Sequence, residues 1–269
     1  MHPGGVVRAA LIVIGAAWSG PAWGEGMSDV AIARAPSAAN DAANGRATVA
    51  ASDAEDGLPF VAPVLRLGLL AYGRGEEKNG CSGACTGFAP DNASYSHGPA
   101  LGVGAEALFT VLGQWRFGPS LFYVLPNHVD IDGASGSFGV GSDLTLDVAA
   151  EFAPRVAPRF RILPRIQGGL LVLFPGGALG SSLDALRADC PSNIRGCSSV
   201  GDTVVGWNLA VGAGALYSAL PHLRLRVDVL AQYYSVGLYD IGASLLSKPI
   251  DVSERLSGGR LFVTVGAEY

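Results

Sequence analysis

Cysteine is the residue type with the most definite chemistry in this sequence of 269 residues. Its four copies form two close pairs, Cys81 with Cys85 and Cys190 with Cys197, each among small and polar residues. An even number of cysteines confined to the loops of an exported chain indicates disulfide bonds. We favour the two local bridges, although three pairings are open. A metal site across both segments is the alternative, and neither a CxxC spacing nor a neighbouring histidine pair supports it.

Residues that could serve as nucleophile and base are sparse. The only close grouping of serine and histidine is SYSH, residues 94–97, in a predicted loop. A hydrolase needs its nucleophile and base within hydrogen-bond reach of each other, and short Ser/His juxtapositions often arise by chance. No glycine-rich segment lies between a predicted strand and a predicted helix, as a phosphate cradle requires. We therefore expect no enzymatic activity, no cofactor and no metal, with an enzymatic role kept as an alternative.

The elements that would position any site are predicted to be strands. The sequence ends on GRLFVTVGAEY, in which every second residue is apolar, whereas the intervening positions include Arg260 and Glu268. The apolar set is Leu261, Val263, Val265, Ala267 and Tyr269. A period of two predicts a strand whose two faces lie in different environments.

Eight such segments follow one another along the chain. They are residues 64–74, 100–111, 115–125, 139–152, 159–174, 203–217, 223–236 and 259–269. Each is long enough to cross a bilayer obliquely, which takes about 9–11 residues, whereas no apolar run reaches the roughly 20 residues of a spanning helix. Long and short connections alternate between the segments. This alternation predicts an all-β, eight-stranded antiparallel up-and-down transmembrane β-barrel.

The charged residues follow the same alternation between two faces. All charged residues of the eight segments fall on the face opposite the apolar one: Arg66, Arg74, Glu106, Arg116, Asp143, Asp147, Glu151, Arg159, Arg161, Arg165, Arg224, Arg226, Asp228, Arg260 and Glu268. A cationic side chain on the lipid face near the midplane would cost about 2–4 kcal/mol.

Charges turned into a narrow lumen need partners. We predict an interior network in which Asp143, Asp147 and Glu151 face Arg161 and Arg165. Its remaining members are Arg66, Glu106, Arg224, Arg226 and Asp228. For any single pair, hydration in a wet lumen is the alternative.

Aromatic residues supply a further pattern. Phe109, Phe117, Phe152, Phe160, Tyr217 and Tyr269 lie on the apolar face near the short connections, whereas Phe174 and Tyr233 lie near the long ones. Such rings collect at membrane interfaces. Pro119 and Pro164 interrupt predicted strands, and we expect bulges or shifted strand ends there.

The amino-terminal quarter of the chain has another character. Residues 1–24 combine Arg8 with a short apolar core and a small-residue end, which predicts a signal peptide. Residues 25–59 are rich in Ala, Asp, Asn, Ser and Gly and predict a flexible periplasmic linker, or a weak Ala-rich helix. The barrel then takes residues 60–269. A net charge of -5 without any basic block excludes nucleic acid as a partner.

These features resemble the small eight-stranded outer-membrane β-barrels of Gram-negative bacteria, the OmpA/OmpX-type class. The terminal VTVGAEY is similar to the assembly signal of that class, so the resemblance assigns this role to Leu261, Val263, Val265, Ala267 and Tyr269. It also implies outer-membrane lipid and the barrel-assembly machinery as partners, and long loops on the cell surface. We expect a monomer.

Our functional hypothesis is a non-enzymatic barrel with a structural, adhesion or surface-interaction role that its extracellular loops carry out, through a surface ligand. Alternatives are a narrow channel for a solute or hydrophobic ligand, a soluble lipocalin-like barrel, and an outer-membrane enzyme that modifies lipids. Eight strands enclose a lumen that side chains fill, so a general porin is not expected.

Overall fold

The computed structural model describes residues 57–83, 92–133, 136–190, 194–245 and 248–269. The predicted signal peptide and nearly all of the predicted linker lie outside these ranges. The strands are β1 (Val61–Gly83), β2 (Asn92–His97), β3 (Ala100–Val111), β4 (Trp115–Ile131), β5 (Ser137–Phe152), β6 (Arg155–Ala157), β7 (Phe160–Pro175), β8 (Val204–Leu220), β9 (Leu223–Leu245) and β10 (Lys248–Glu268). Helix α1 (Gly177–Asp189) and a 3-10 turn (Cys197–Ser199) lie between β7 and β8.

The strands close into a ring of eight antiparallel positions. The order around it is β1, β3, β4, β5, β7, β8, β9 and β10, which pairs again with β1. At the closure, Leu65 pairs with Ala267. Beyond the last strand residue, Tyr269 donates its backbone N–H to the carbonyl of Pro63 at 3.1 Å. The predicted eight-stranded antiparallel up-and-down barrel is confirmed.

Several strands run well past the ends that the sequence predicts. β1 continues to Gly83 and β9 to Leu245, so stretches assigned to long connections are paired strand. β2 precedes β3 in the chain and, like β3, pairs with β1 and β4. The two strands therefore share one position in the ring of strands, and Gly98 and Pro99 separate them. Backbone pairing continues here although the alternation of apolar residues has faded.

A bulge in β1 corrects the predicted parity. The register of β1 against β10 shifts between Leu70 and Tyr72, and residues 71 and 72 both face outward. Every later residue of β1 therefore lies on the face opposite to the predicted one. Arg74, predicted to point inward, is instead exposed and pairs with Asp132 at 3.0 Å. Arg159, also predicted to point inward, lies exposed in a turn.

The two prolines do not produce the expected bulges. Pro119 pairs with Val148 and Pro164 with Ala213, and the register of each pair of strands continues through them. Both side chains are exposed on the outer face of the barrel. Each proline therefore removes a ladder donor without displacing its strand.

The two ends of the barrel differ. At one, which we call the turn end, neighbouring strands are joined by tight connections such as that of Leu112 and Gly113, whose φ angles are 53° and 76°. These positive angles suit the tight turn of this connection, which contains the three residues 112–114. The other, the helix end, carries the extended strands and α1.

The outer and inner faces have opposite chemistry. On β9, Leu225 and Val227 are 50% and 47% exposed, whereas Arg226 and Asp228 are each 1% exposed. The other strands follow the same rule for charge, with an apolar outer belt and the buried charges inside, where apolar clusters such as that of Leu70, Val124 and Phe262 also lie. A soluble lipocalin-like barrel needs a polar exterior that carries the charged residues of the strands, so that alternative is wrong.

Candidate ligand site

An ion-pair ring crosses the half of the lumen nearer the turn end, which we call the lower lumen. We give this name to six buried side chains that pair in a closed cycle: Glu151, Arg165, Glu106, Arg66, Asp228 and Arg226. The contact of Arg226 with Glu151 is 2.6 Å long and that with Asp228 is 2.7 Å. Three cations and three anions balance each other, which makes their burial tolerable.

Further charges extend the ring toward the turn end. Arg116 is fully buried and donates to Glu151 at 2.6 Å and to Glu268 at 2.7 Å. Arg224 lies 3.6 Å from Glu268. The lumen is thus filled by paired charges over several layers.

The remaining residues of the predicted network have other partners. Asp143 binds Arg260 rather than Arg161 or Arg165. Asp147 accepts from the amides of Gln167 and Asn208, at 2.9 and 2.8 Å.

Arg161 lies apart from the ring. It is half-buried near the turn end and donates to the carbonyl of Ala153 at 2.9 Å. Of the predicted facing pairs, the structure brings together Arg165 and Glu151, at 3.4 Å.

Above the ring, Arg260 forms a floor across the lumen. Its guanidinium donates to Asp143 at 2.7 and 3.1 Å, and to the amide oxygen of Gln232 at 2.8 and 3.0 Å. The same group lies over the ring of Tyr234, 4.6 Å from its centroid. The hydroxyl of Tyr234 shares hydrogen bonds of 2.7 Å with Tyr95 and with His97.

A cavity of about 290 Å³ lies above this floor. Its walls are largely apolar: Val129, Val140, Leu171, Leu173, Val236 and Leu238. This volume is near the lower end of the roughly 300–1,000 Å³ of small-molecule sites, which combine apolar walls with a few polar groups.

Helix α1 covers one side of the cavity. Leu179, Leu183 and Leu186 recur at helical spacing and line the cavity. The helix follows β7 directly, and a Cβ on Gly177, whose φ is +57°, would come within 3.1 Å of Gly139. Glycine therefore permits the close approach of the helix to β5.

The segment after α1 is held by covalent and polar contacts. Cys190 and Cys197 form a disulfide, which confirms that predicted bridge. Arg187 donates to the carbonyl of Ser198 at 2.7 Å and to Asp202 at 2.5 Å. Cys81 is disulfide-bonded, but Cys85 lies outside the described residues, so the Cys81–Cys85 pairing stays a prediction.

Burial shifts the titration of groups at the helix end, beyond the eight predicted spanning segments. Burial and the nearby charge of Arg260 lower the pKa of His97 to about 3, so its imidazole is neutral near pH 7. Burial, with the neighbouring Tyr234, raises the pKa of Tyr95 above its ordinary value. Burial and a hydrogen bond to Glu254 likewise raise the pKa of Tyr239.

The apolar side chains of the outer belt indicate which environment surrounds the barrel. Aromatic rings are in contact at the turn end, where Trp115 lies 4.9 Å from Phe152 on the neighbouring strand and 6.3 Å from Phe117 on its own strand, between centroids. At the helix end of the belt, Trp207 lies 5.5 Å from Tyr233. Apolar side chains fill the exposed surface between the two levels. The chain is a membrane-spanning β-barrel.

Comparisons with known proteins find similar chains among solved structures at low sequence identity. Among solved structures, the barrel is similar to OprG from Pseudomonas aeruginosa (14% identity, 80% of this chain and 98% of that chain, TM-score 0.46). It is also similar to Neisserial surface protein A (12%, 78% and 96%, 0.37) and to the protease OmpT from Escherichia coli (11%, 78% and 99%, 0.32). No family model and no curated protein matches. At these identities and scores, the functions of those proteins are not carried to this chain.

The residues of the predicted assembly signal lie on β10 and at its end. Val263, Val265 and Tyr269 are exposed on the outer face, and Leu261 and Ala267 are half-buried there. Among the described residues, no helix is long and apolar enough to cross a membrane. The described residues likewise contain no metal-binding cluster of His, Cys, Asp and Glu.

The sequence interpretation missed the cavity. The spacing of Leu179, Leu183 and Leu186 was the available signal for α1, which lies in a stretch interpreted as a loop. Nothing in the local sequence indicates that Tyr95 and His97 meet Tyr234, which lies on a distant strand.

Proposed function

We propose that this barrel lies in the outer membrane of a Gram-negative bacterium and binds a small apolar molecule at its extracellular end. The turn end would then face the periplasm, because outer-membrane barrels have short periplasmic turns and longer extracellular loops. The predicted signal peptide and periplasmic linker agree with this orientation. Outer-membrane lipid contacts the apolar belt, and the barrel-assembly machinery remains a proposed partner.

The cavity beneath α1 carries this proposal. Its apolar walls favour an apolar ligand, since burial contributes about 25 cal/mol for each Å² removed from water. Its floor offers little to a polar ligand, because both oxygens of Asp143 already accept from Arg260. A ligand would therefore be held mainly by the walls and the helix.

The closed lower lumen argues against a general porin. Below the floor, the next cavity has a volume of only about 20 Å³. The ion-pair ring fills the cross-section beneath it. We expect no steady ion-selective openings in planar bilayers, and their appearance would favour the channel alternative.

The other functional hypotheses stay predictions. An adhesion or structural role would reside in the extracellular loops, parts of which lie outside the described residues. For the enzyme alternative, alternation along β2 places Ser94 on the face opposite His97, and His97 binds Tyr234 instead.

Ligand binding can be tested with octan-1-ol and the barrel in phosphatidylcholine nanodiscs, with empty nanodiscs as the blank. Calorimetry is expected to show saturable binding in excess of the blank. Val140→Phe, which fills the cavity, should weaken binding by about tenfold, or about 1.4 kcal/mol. Val205→Phe makes the same change on the exposed outer face and should leave binding unchanged. Equal binding by all three proteins would contradict the proposal.

A further inference from the structure

Asn127 places a buried amide in the wall of the cavity. It is 3% exposed and lies on β4, whose register against β5 shifts between Val124 and Asn127. Leu125 and Pro126 are both exposed on the outer face, so this bulge turns Asn127 inward. An amide carries two N–H donors and an oxygen that accepts, and burial of any of these without a partner costs free energy.

A chain of hydrogen bonds fixes the tautomer of His97, the polar neighbour of Asn127. The backbone carbonyl of Ser257 can only accept, so the hydroxyl of Tyr95 donates to it, at 3.4 Å. Because each tyrosine hydroxyl has one proton, Tyr234 donates to Tyr95 and accepts from Nε2–H of His97. Burial lowers the pKa of His97 to about 3, so the imidazole is neutral near pH 7 and its Nδ1 is an acceptor.

The orientation of the amide follows from this tautomer. Among the described residues, neither Nδ1 of His97 nor Oδ1 of Asn127 has a hydrogen-bond partner, although the imidazole and the amide are neighbours. Two acceptors that face each other are unfavourable, whereas Nδ2 of Asn127 can donate to Nδ1. The oxygen and nitrogen of an amide are assigned from their hydrogen bonds, so this contact determines the orientation. Oδ1 then lies on the side away from the imidazole, toward the cavity that Asn127 lines.

We propose that the cavity selects amphiphiles whose polar end is a hydroxyl, which donates a hydrogen bond to Oδ1 of Asn127 while the apolar part lies against the walls and α1. This inference rests on the proposed function and names the class of ligand. An ether of the same size accepts hydrogen bonds but cannot donate one, so it would leave Oδ1 unpaired and shielded from water. His97 is a positioning residue, because it holds Nδ2 of the amide and thereby keeps Oδ1 turned toward the cavity.

The test compares octan-1-ol with its isomer 1-methoxyheptane in the same nanodiscs, with the partition of each probe into empty nanodiscs subtracted. We expect octan-1-ol to bind about tenfold more tightly than the ether, equivalent to about 1.4 kcal/mol. Asn127→Leu removes the amide at nearly equal volume, and should reduce this preference to about twofold while keeping the affinity for the ether. Asn92→Leu makes the same change at an exposed residue of β2 and should keep the full preference.

A second variant tests the role of His97. His97→Phe leaves Asn127 in place but removes the acceptor that orients its amide. The preference for octan-1-ol should therefore fall, while the affinity for the ether stays unchanged.

The possible outcomes separate the two proposals. Equal binding of octan-1-ol and the ether by the unchanged protein would overturn the hydroxyl selectivity and leave the proposed function standing. A full preference that persists in Asn127→Leu would also overturn it. If Asn127→Leu binds neither probe, a reduced preference in His97→Phe supports the inference and a full preference there overturns it. If neither probe binds the unchanged protein above the blank, both the selectivity and the proposed function fail.

Discussion

Glu151 accepts hydrogen bonds from Arg116 and Arg226, each at 2.6 Å. The two arginines belong to strands that lie on opposite sides of the barrel. One carboxylate thus joins β4, β5 and β9 across the lumen. Its burial is tolerable only while these cations surround it.

Replacing Glu151 with Gln should destabilise the barrel. The change leaves buried guanidinium groups without their anion, and we expect the free energy of unfolding to fall by about 3–5 kcal/mol. Urea unfolding in phospholipid vesicles, followed by tryptophan fluorescence, measures it. Glu76→Gln makes the same change at an exposed pair and should cost less than about 1 kcal/mol. Similar losses in both variants would contradict the role of the ring.

His97 should make stability depend on pH. Its pKa is about 3 in the folded barrel and about 6.5 in the unfolded chain, so only the unfolded chain binds a proton between these values. The free energy of unfolding should therefore fall as pH decreases from about 6.5, by up to about 1.4 kcal/mol per unit. Tyr95, Tyr234 and Arg260 surround the imidazole and do not gain a proton in this range. In His97→Gln the slope should be shallower, and parallel curves would contradict the assignment.

The disulfide after α1 should hold the cover of the cavity. In Cys190→Ser/Cys197→Ser, we expect faster amide hydrogen exchange in α1 and weaker octan-1-ol binding, with strand exchange unchanged. Cys81→Ser/Cys85→Ser is the matched control and should leave α1 unaffected. Unchanged exchange in the first variant would show that the polar contacts of Arg187 suffice.

The terminal residue should affect assembly more than stability. Tyr269→Ser is expected to lower the yield of heat-modifiable barrel in outer-membrane fractions severalfold, because the proposed signal loses its aromatic end. Tyr217→Ser removes another exposed aromatic ring from the same belt and should have a smaller effect. Equal yields from the two variants would contradict the assembly role.

The alternation of apolar and polar residues predicted the fold because one face of each strand contacts lipid and the other carries the charged side chains of the lumen. It assigns a face to each residue but does not identify partners across the lumen, so the pairing of Asp143 with Arg260 was not predictable. The bulge after Leu70 was equally hidden, since no glycine or proline occupies it. Consequently Arg74 was assigned to the wrong face.

That bulge also determines which side chains of β1 face the interior at the helix end. A regular strand with the same sequence would turn Arg74, Glu76 and Lys78 inward and Glu77 outward. The wall of the cavity would then carry a different set of charged groups, with no change in amino-acid composition. A single irregular step of the backbone therefore decides what a molecule entering this end of the barrel would meet.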